Sequence, residues 1–238
     1  LAIADICNKS SVGGESGLDA LKHIQIGVPP CEFPEPDPGL FAGYATNVID
    51  NTTDVTKAET WSNVRIVADA NPKFAAKTEF LGVVFIEPPN QVEFTGDVKI
   101  RGIIVGDGDV SDDSSTNKII FKGNVECYSV DSLPETFGDL RTKVGTFIVA
   151  PGFEVQFGGN FKTHTGAIAA NGIKFWGNAG GTVRGSTINY SSKPAELSGN
   201  TDLRFNRSGI ETTPAGFVPS IRLVYNPSSY DEPHVIGS

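Results

Sequence analysis

The 238-residue chain carries 28 acidic against 19 basic residues, a formal net charge of −9. No basic stripe exists to release counterions from phosphate, which sets aside nucleic acid and anionic lipid as partners. Gly (27), Pro (15) and Phe (15) are abundant, Met is absent and charged residues are 20% of the chain, a balance that favours short strands and tight turns over helix bundles.

No apolar run reaches the roughly 18 residues that a membrane-spanning helix needs. The chain opens at Leu1 rather than Met, so it reads as processed or as part of something longer, with any leader already removed.

Residues 1–80 differ in texture from the remainder of the chain and read as an irregular, partly helical N-terminal cap. L-A-I-A-D-I-C reads as the end of a helix. Leu18, Leu21 and Ile24 share one helical face. Cys7 and Cys31 flank a Gly/Pro-rich stretch with little core-forming power; a disulfide between them, in an oxidising compartment, would stabilise that loop by about 3 kcal/mol. Two free thiols are the alternative. V-P-P-C-E-F-P-E-P-D-P-G (28–39) reads as an extended strap. T-W-S-N-V-R-I-V-A-D-A (60–70) reads as a strand.

From residue 81 to 217 the chain repeats. G-V-V-F-I-E-P-P-N-Q-V-E-F-T-G-D (82–97) aligns without a gap on G-T-F-I-V-A-P-G-F-E-V-Q-F-G-G-N (145–160). The second half recurs as I-I-F-K-G-N, I-K-F-W-G-N and A-E-L-S-G-N, with the Phe position at 94, 121, 157, 175 and 197. The corners are Gly96–Asp97, Gly123–Asn124, Gly159–Asn160, Gly177–Asn178 and Gly199–Asn200. Apolar residues two apart point to one side of a strand, and Gly followed by Asn or Asp is a turn that tolerates left-handed backbone. A further Gly (102, 166, 185) restarts the path. The pattern predicts an all-β fold, a parallel, right-handed β-helix with coils of roughly 18–22 residues. A jelly roll is the competing architecture. The longer spacings mean insertions at 106–117 and 132–143, the second a short helix or flank. Residues 218–238, with I-R-L-V-Y (221–225), read as a C-terminal strand and cap.

Candidate chemistry is sparse. Asp107, Asp109 and Ser111, with Asp112 and Asp113 adjacent, have the 1-3-5 spacing of an oxygen-ligand Ca2+ loop. The expected Gly is missing and Lys118 stands where Glu would close the site; a solvated acidic loop is the plainer alternative. Outward charges Lys99, Arg101, Glu126, Lys174 and Arg184 read as single surface charges, not the paired carboxylates of a glycosidase. Cys127, in V-E-C-Y-S-V, reads as a buried, inert thiol. His164 reads as a surface histidine beside a corner. Trp61, Trp176, Tyr190 and Tyr225 read as packing residues, a sugar-stacking surface being the alternative.

The F-x-G-N corners, together with A-A-N-G-I-K-F-W-G-N-A-G-G-T-V-R-G-S-T-I-N-Y-S and L-S-G-N-T-D-L-R-F-N-R-S-G, resemble bacterial envelope and surface proteins of the PilX-like, pilus-associated kind. They also resemble the bactofilin repeat, which polymerises through β-helix ends. The resemblance covers little over half the chain and carries no catalytic residue across. It implies an extracellular or cell-surface location, an upstream membrane anchor and association with copies of itself. The expectation is therefore a non-enzymatic structural protein, a subunit of a surface filament, pilus-like appendage or surface layer. A carbohydrate-binding or carbohydrate-cleaving β-helix with a glycan partner, and a calcium-stabilised adhesin, are the alternatives.

Overall fold

This computed structural model describes residues 33–112, 115–206 and 213–218, together with 2–3, 11–12, 15–16, 18–19, 22 and 24–25. The chain divides into two compact units, Leu1–Phe33 and Pro34–Ser238. In the first, Ala2–Ile3 pairs in parallel with Ile24–Gln25, and Ser11–Val12 forms a hairpin with Glu15–Ser16. The helical reading of 1–7 is thus overturned at Ala2–Ile3, whereas within 18–24 Asp19 and Lys22 are 3-10 helical and the strand begins only at Ile24. Leu18 is exposed. Cys7, Cys31 and residues 221–225 lie outside the described residues.

The second unit is a parallel β-solenoid of about eight turns with coils of about 20 residues. Three faces enclose its core. Face A stacks 60–62, 78–81, 98–101, Val125–Tyr128, Asn160–Thr165, Gly180–Arg184 and Asp202–Asn206. Face B stacks Asn47–Ile49, 64–66, 83–86, 103–106, Thr146–Ala150, Ala167–Ala170 and Thr187–Asn189. Face C stacks Lys73–Phe74, Gln91–Phe94, Lys118–Phe121, Glu154–Phe157, Ile173–Phe175 and Glu196–Leu197. The coils begin earlier than residue 81: Asn47–Ile49 and Thr60–Ile66 already belong to the stack.

Alternation along each face C strand puts Val92, Ile119, Val155 and Ile173 inward beside Phe94, Phe121, Phe157 and Phe175, all buried. Phe74, Phe94, Phe121, Phe157 and Phe175 form one continuous stack, with ring centroids 4.9–5.4 Å apart and planes within 10–12°. Burying one such ring stabilises by about 1.5–3 kcal/mol, and each stacked pair adds roughly 0.5–1.5 kcal/mol.

The C-to-A corner explains its glycines by contact. At Gly96, Gly123 and Gly159 the backbone is not left-handed. A Cβ on Gly123 would collide with the Gly96 carbonyl, and one on Gly159 with the Gly123 carbonyl. Only Gly177 (φ 66°) and Gly199 (φ 79°) take the left-handed backbone expected of all five corners. The A-to-B bends do use positive φ, at Asn63 (47°), Gly82 (86°) and Gly102 (153°). The ungapped match of 82–97 to 145–160 slips by one on face B. A register shift between Thr146 and Ile148 sets Ile148, not Phe147, in line with Ile104 and Val84.

A second apolar cluster coats the outside of face B. Val83, Phe85, Ile103, Val105, Val149, Ala167 and Ala169 pack beneath Phe41, Val130, Leu133, Leu140 and Phe217. The insertion after Tyr128 supplies part of this cover as the 3-10 helices Val130–Ser132 and Glu135–Thr142. Residues 34–39 of the strap supply more. Pro36 pairs antiparallel with Phe217, Asp37 N–H donates to Gly216 O and Val218 N–H to Glu35 O (each 2.8 Å). This half of the strap is therefore clasped by its own chain.

Candidate functional site: a trough along the A–C corner

The stacked glycine corners leave a depression running along the solenoid. A cleft of about 820 Å³ is lined by Glu59, Lys77, Glu79, Asp97, Lys99 and Glu126, among others. A shallower trough of about 570 Å³ continues it over Gly96, Gly123, Gly159 and Asn178. Lys77, Asp97, Asn124 and Asn160 line both. Because each glycine is imposed by the carbonyl of the coil before it, the strip of floor over Gly96, Gly123 and Gly159 carries no side chain of its own.

The wall on face A is a row of charges in register: Glu79 opposite Lys99, and Lys99 opposite Glu126. Glu79 takes Arg101 at 3.2 Å and Lys99 at 3.7 Å. Tyr128 Oη donates to Glu126 Oε2 (3.2 Å), and the Arg101 guanidinium lies 4.6 Å from the Tyr128 ring centroid. On the face C side the trough is lined by Lys122, which Glu93 holds at 2.9 Å, with Lys73 at 3.7 Å from the same carboxylate; the bond from Lys122 holds the Glu93 carboxyl below its ordinary value. Lys174 and Glu196 form another such pair at 2.7 Å. Lys99, Arg101 and Lys174 are thus members of ion pairs between coils rather than the single charges expected. Such half-exposed pairs contribute little each, up to about 1 kcal/mol, yet fix the order of charges along the wall.

On the floor, Asn124 Nδ2 donates to Asp97 Oδ1 (2.9 Å). The side chains of Lys77, Asn160 and Asn178 make no hydrogen bond or ion pair among the described residues. They present free donors and acceptors into the trough.

The acidic insertion takes another form. Asp109 Oδ1 accepts from Ser111 N and Oγ (each 2.9 Å), and Asp112 Oδ2 accepts from Asp109 N (2.7 Å). Those bonds from Ser111 lower the Asp109 pKa. Asn171 Nδ2 pins the loop by donating to Val110 O and Asp112 O (each 3.1 Å). Among the described residues no three His, Cys, Asp or Glu side chains come together as metal ligands; Asp113 lies outside them.

His164 is not a surface residue. It is fully buried, stacked on Phe161 (4.3 Å) and Phe147 (4.7 Å), with Nδ1 2.8 Å from Cys127 Sγ. Burial pushes the imidazole down to about 3 and pushes the Cys127 thiol well up, with the Glu126 charge adding to it. The two sit as a Cys–His dyad would, but burial favours the neutral form of each and so opposes the thiolate on which such a dyad depends.

The third corner holds an asparagine ladder that no single motif announces. Asn71 N–H donates to Asn90 Oδ1 (2.7 Å) and Asn90 N–H to Asn117 Oδ1 (3.3 Å). Asn90 and Asn117 are buried. Its signal in the sequence is N-x-φ-x-F at 90–94, 117–121 and 171–175, which the corner-by-corner reading of the repeat missed. Trp61 packs on the core and Tyr190 Oη donates to Pro34 O (2.6 Å); neither belongs to the trough.

No family model matches the chain. Searches of curated proteins and of solved structures likewise return no match. What is established is the class, a parallel β-solenoid.

Proposed function

We propose that this chain is a non-enzymatic structural protein of the cell surface or extracellular space, whose copies associate through the C-terminal end of the solenoid. Filament, pilus-like appendage or surface layer are the assemblies it would serve, in line with the resemblance of its corners to bacterial envelope proteins.

One observation carries the reading. Leu197 continues the phenylalanine stack and Phe205 continues the ladder of Val183, yet they are 60% and 57% exposed, where Phe175 and Val183 are buried. Thr187–Asn189, Glu196–Leu197 and Asp202–Asn206 each pair on one side only among the described residues. The last coil so displays the cross-section of the core together with open strand edges, which template pairing with another chain. At the opposite end Asn47–Ile49 and Lys73–Phe74 also pair on one side only among the described residues, but there the inward Ile49 and Phe74 are buried, Val55 packs into the core, and Asp50 and Asp54 tie its loop to Thr52, Thr53 and Thr56. One open end joins copies in pairs; a filament needs a second contact.

Sedimentation velocity across a concentration series, with electron microscopy of the same samples, tests this. Association is expected for the native chain and its loss for the Leu197→Lys/Phe205→Lys variant. A native chain that stays monomeric at every concentration overturns the proposal.

A further inference from the structure

The trough has a shape and a chemistry that self-association does not use. We propose that it binds a linear, uncharged polysaccharide laid along the solenoid axis.

Charge comes first. The cleft gathers the carboxylates Glu59, Glu79, Asp97 and Glu126 against the ammonium groups of Lys77 and Lys99. With four carboxylates to two lysines, that mixture repels a polyanion, and the lysines set among the carboxylates break the anionic run a polycation would need. A neutral polyol suits it, because each hydroxyl both donates and accepts. Carboxylates and asparagine oxygens accept from the sugar, and lysine and asparagine nitrogens donate to it.

Spacing comes second. Successive coils stand about 4.8 Å apart, close to the advance of one sugar unit in an extended chain. The trough repeats its polar groups at that interval, as Asp97, Asn124 and Asn160 on the floor and Glu79, Lys99 and Glu126 on the wall. The side-chain-free floor over Gly96, Gly123 and Gly159 gives a ring-shaped unit room to lie flat. The trough is long enough for about four or five units.

An extended peptide fits less well. It would need an unpaired strand edge or apolar side-chain pockets. The face A strands 78–81 and 98–101 beside the trough are paired on both sides, and the apolar side chains lining it are Ala58, Ala75, Val98 and Val125.

The test uses the whole chain in isothermal titration with cellohexaose, laminarihexaose and chitohexaose, with hexagalacturonate as the charged control. At least one neutral hexamer is expected to bind, more tightly than its own trimer, while hexagalacturonate does not. Lys77→Ala/Asn160→Ala removes two side chains that take no part in the fold's hydrogen bonding, so its melting temperature should hold while affinity falls roughly tenfold. The proposal is overturned if no neutral hexamer binds, if only hexagalacturonate binds, or if the double variant binds as tightly as the native chain. None of these outcomes bears on self-association, which the Leu197/Phe205 variant reads separately.

Discussion

Cys127 and His164 lie 37 residues apart in sequence and 2.8 Å apart in space, Sγ to Nδ1, on neighbouring turns of face A. Their closeness comes from stacking. The insertion after Tyr128 lengthens that turn, yet the next face A strand returns directly onto Val125–Tyr128. Cys127 Sγ and His164 Nδ1 then meet where the adjoining turns place Ile100 and Val183, while His164 Nε2 stays buried without a partner.

This pair should set the pH dependence of stability. In the unfolded chain the imidazole titrates near 6.5; in the folded chain burial lowers it to about 3. The unfolded state therefore takes the proton first. Stability is complete above pH 6.5 and declines as pH falls towards 3, by up to about 1.4 kcal/mol per pH unit. His164→Leu should remove roughly 2–3 kcal/mol of the difference between pH 6.5 and 4.5, read by urea unfolding at the two values. Equal slopes for the two proteins would refute this.

The Cys127 thiol is shifted the other way, so its contribution holds below the unfolded thiol value, about 8.5, and is lost as pH rises beyond it. The native thiol should react with a disulfide reagent only as fast as the chain opens. Rapid labelling at pH 8 would show it accessible.

The phenylalanine stack should respond by position. Phe121 is buried between Phe94 and Phe157, so Phe121→Ala should cost about 3–5 kcal/mol. Leu197→Ala, at the exposed end of the stack, should cost under about 1 kcal/mol. Similar losses in chemical unfolding would mean the stack is not the core's spine.

Two glycines separate contact from conformation. Gly123→Ala drives a methyl group into the Gly96 carbonyl and should cost at least about 1–3 kcal/mol. Gly138, at φ 55° and ψ −130°, has open space around it, so Gly138→Ala meets no neighbour and costs only what that backbone imposes on a residue with a Cβ, about 1–3 kcal/mol. Thermal melts of both variants measure the two costs, and a Gly123→Ala melt equal to the native one would refute the contact.

The asparagine ladder should matter more than the acidic insertion. Asn117→Leu leaves the Asn90 N–H and Gly152 O without the partner they now have, a loss of about 1–3 kcal/mol. Chelator should leave the melting temperature unchanged, because Asp109 and Asp112 already accept hydrogen bonds from their own loop. A chelator-induced drop would restore the calcium reading of that loop.

The corners from Gly96 to Asn200 are legible in the sequence because two signals coincide there, inward apolar pairs and a glycine forced by the neighbouring turn. The first turns are not, because Lys73–Phe74 is followed by Ala75–Ala76 and the glycine is missing. His164 is misplaced by sequence for a parity reason. A register shift between Asn160 and Thr163 puts Phe161 and His164 on the same side, against the strict alternation a strand predicts. The trough is invisible in sequence because its wall joins residues from separate turns, such as Glu79, Lys99 and Glu126, whose register no local pattern states. The clasp of Pro36 to Phe217 joins residues far apart, again with no local pattern to mark it.

That clasp decides how the unit meets mechanical load. Residues 34–37 and 216–218 hold each other, so tension applied at these two points passes through the clasp and bypasses the turns. Stretching a single molecule between residues 34 and 218 should register the clasp's rupture first, and the peeling of turns only afterwards. A protein built this way would yield at a small fuse while its wound body kept its shape.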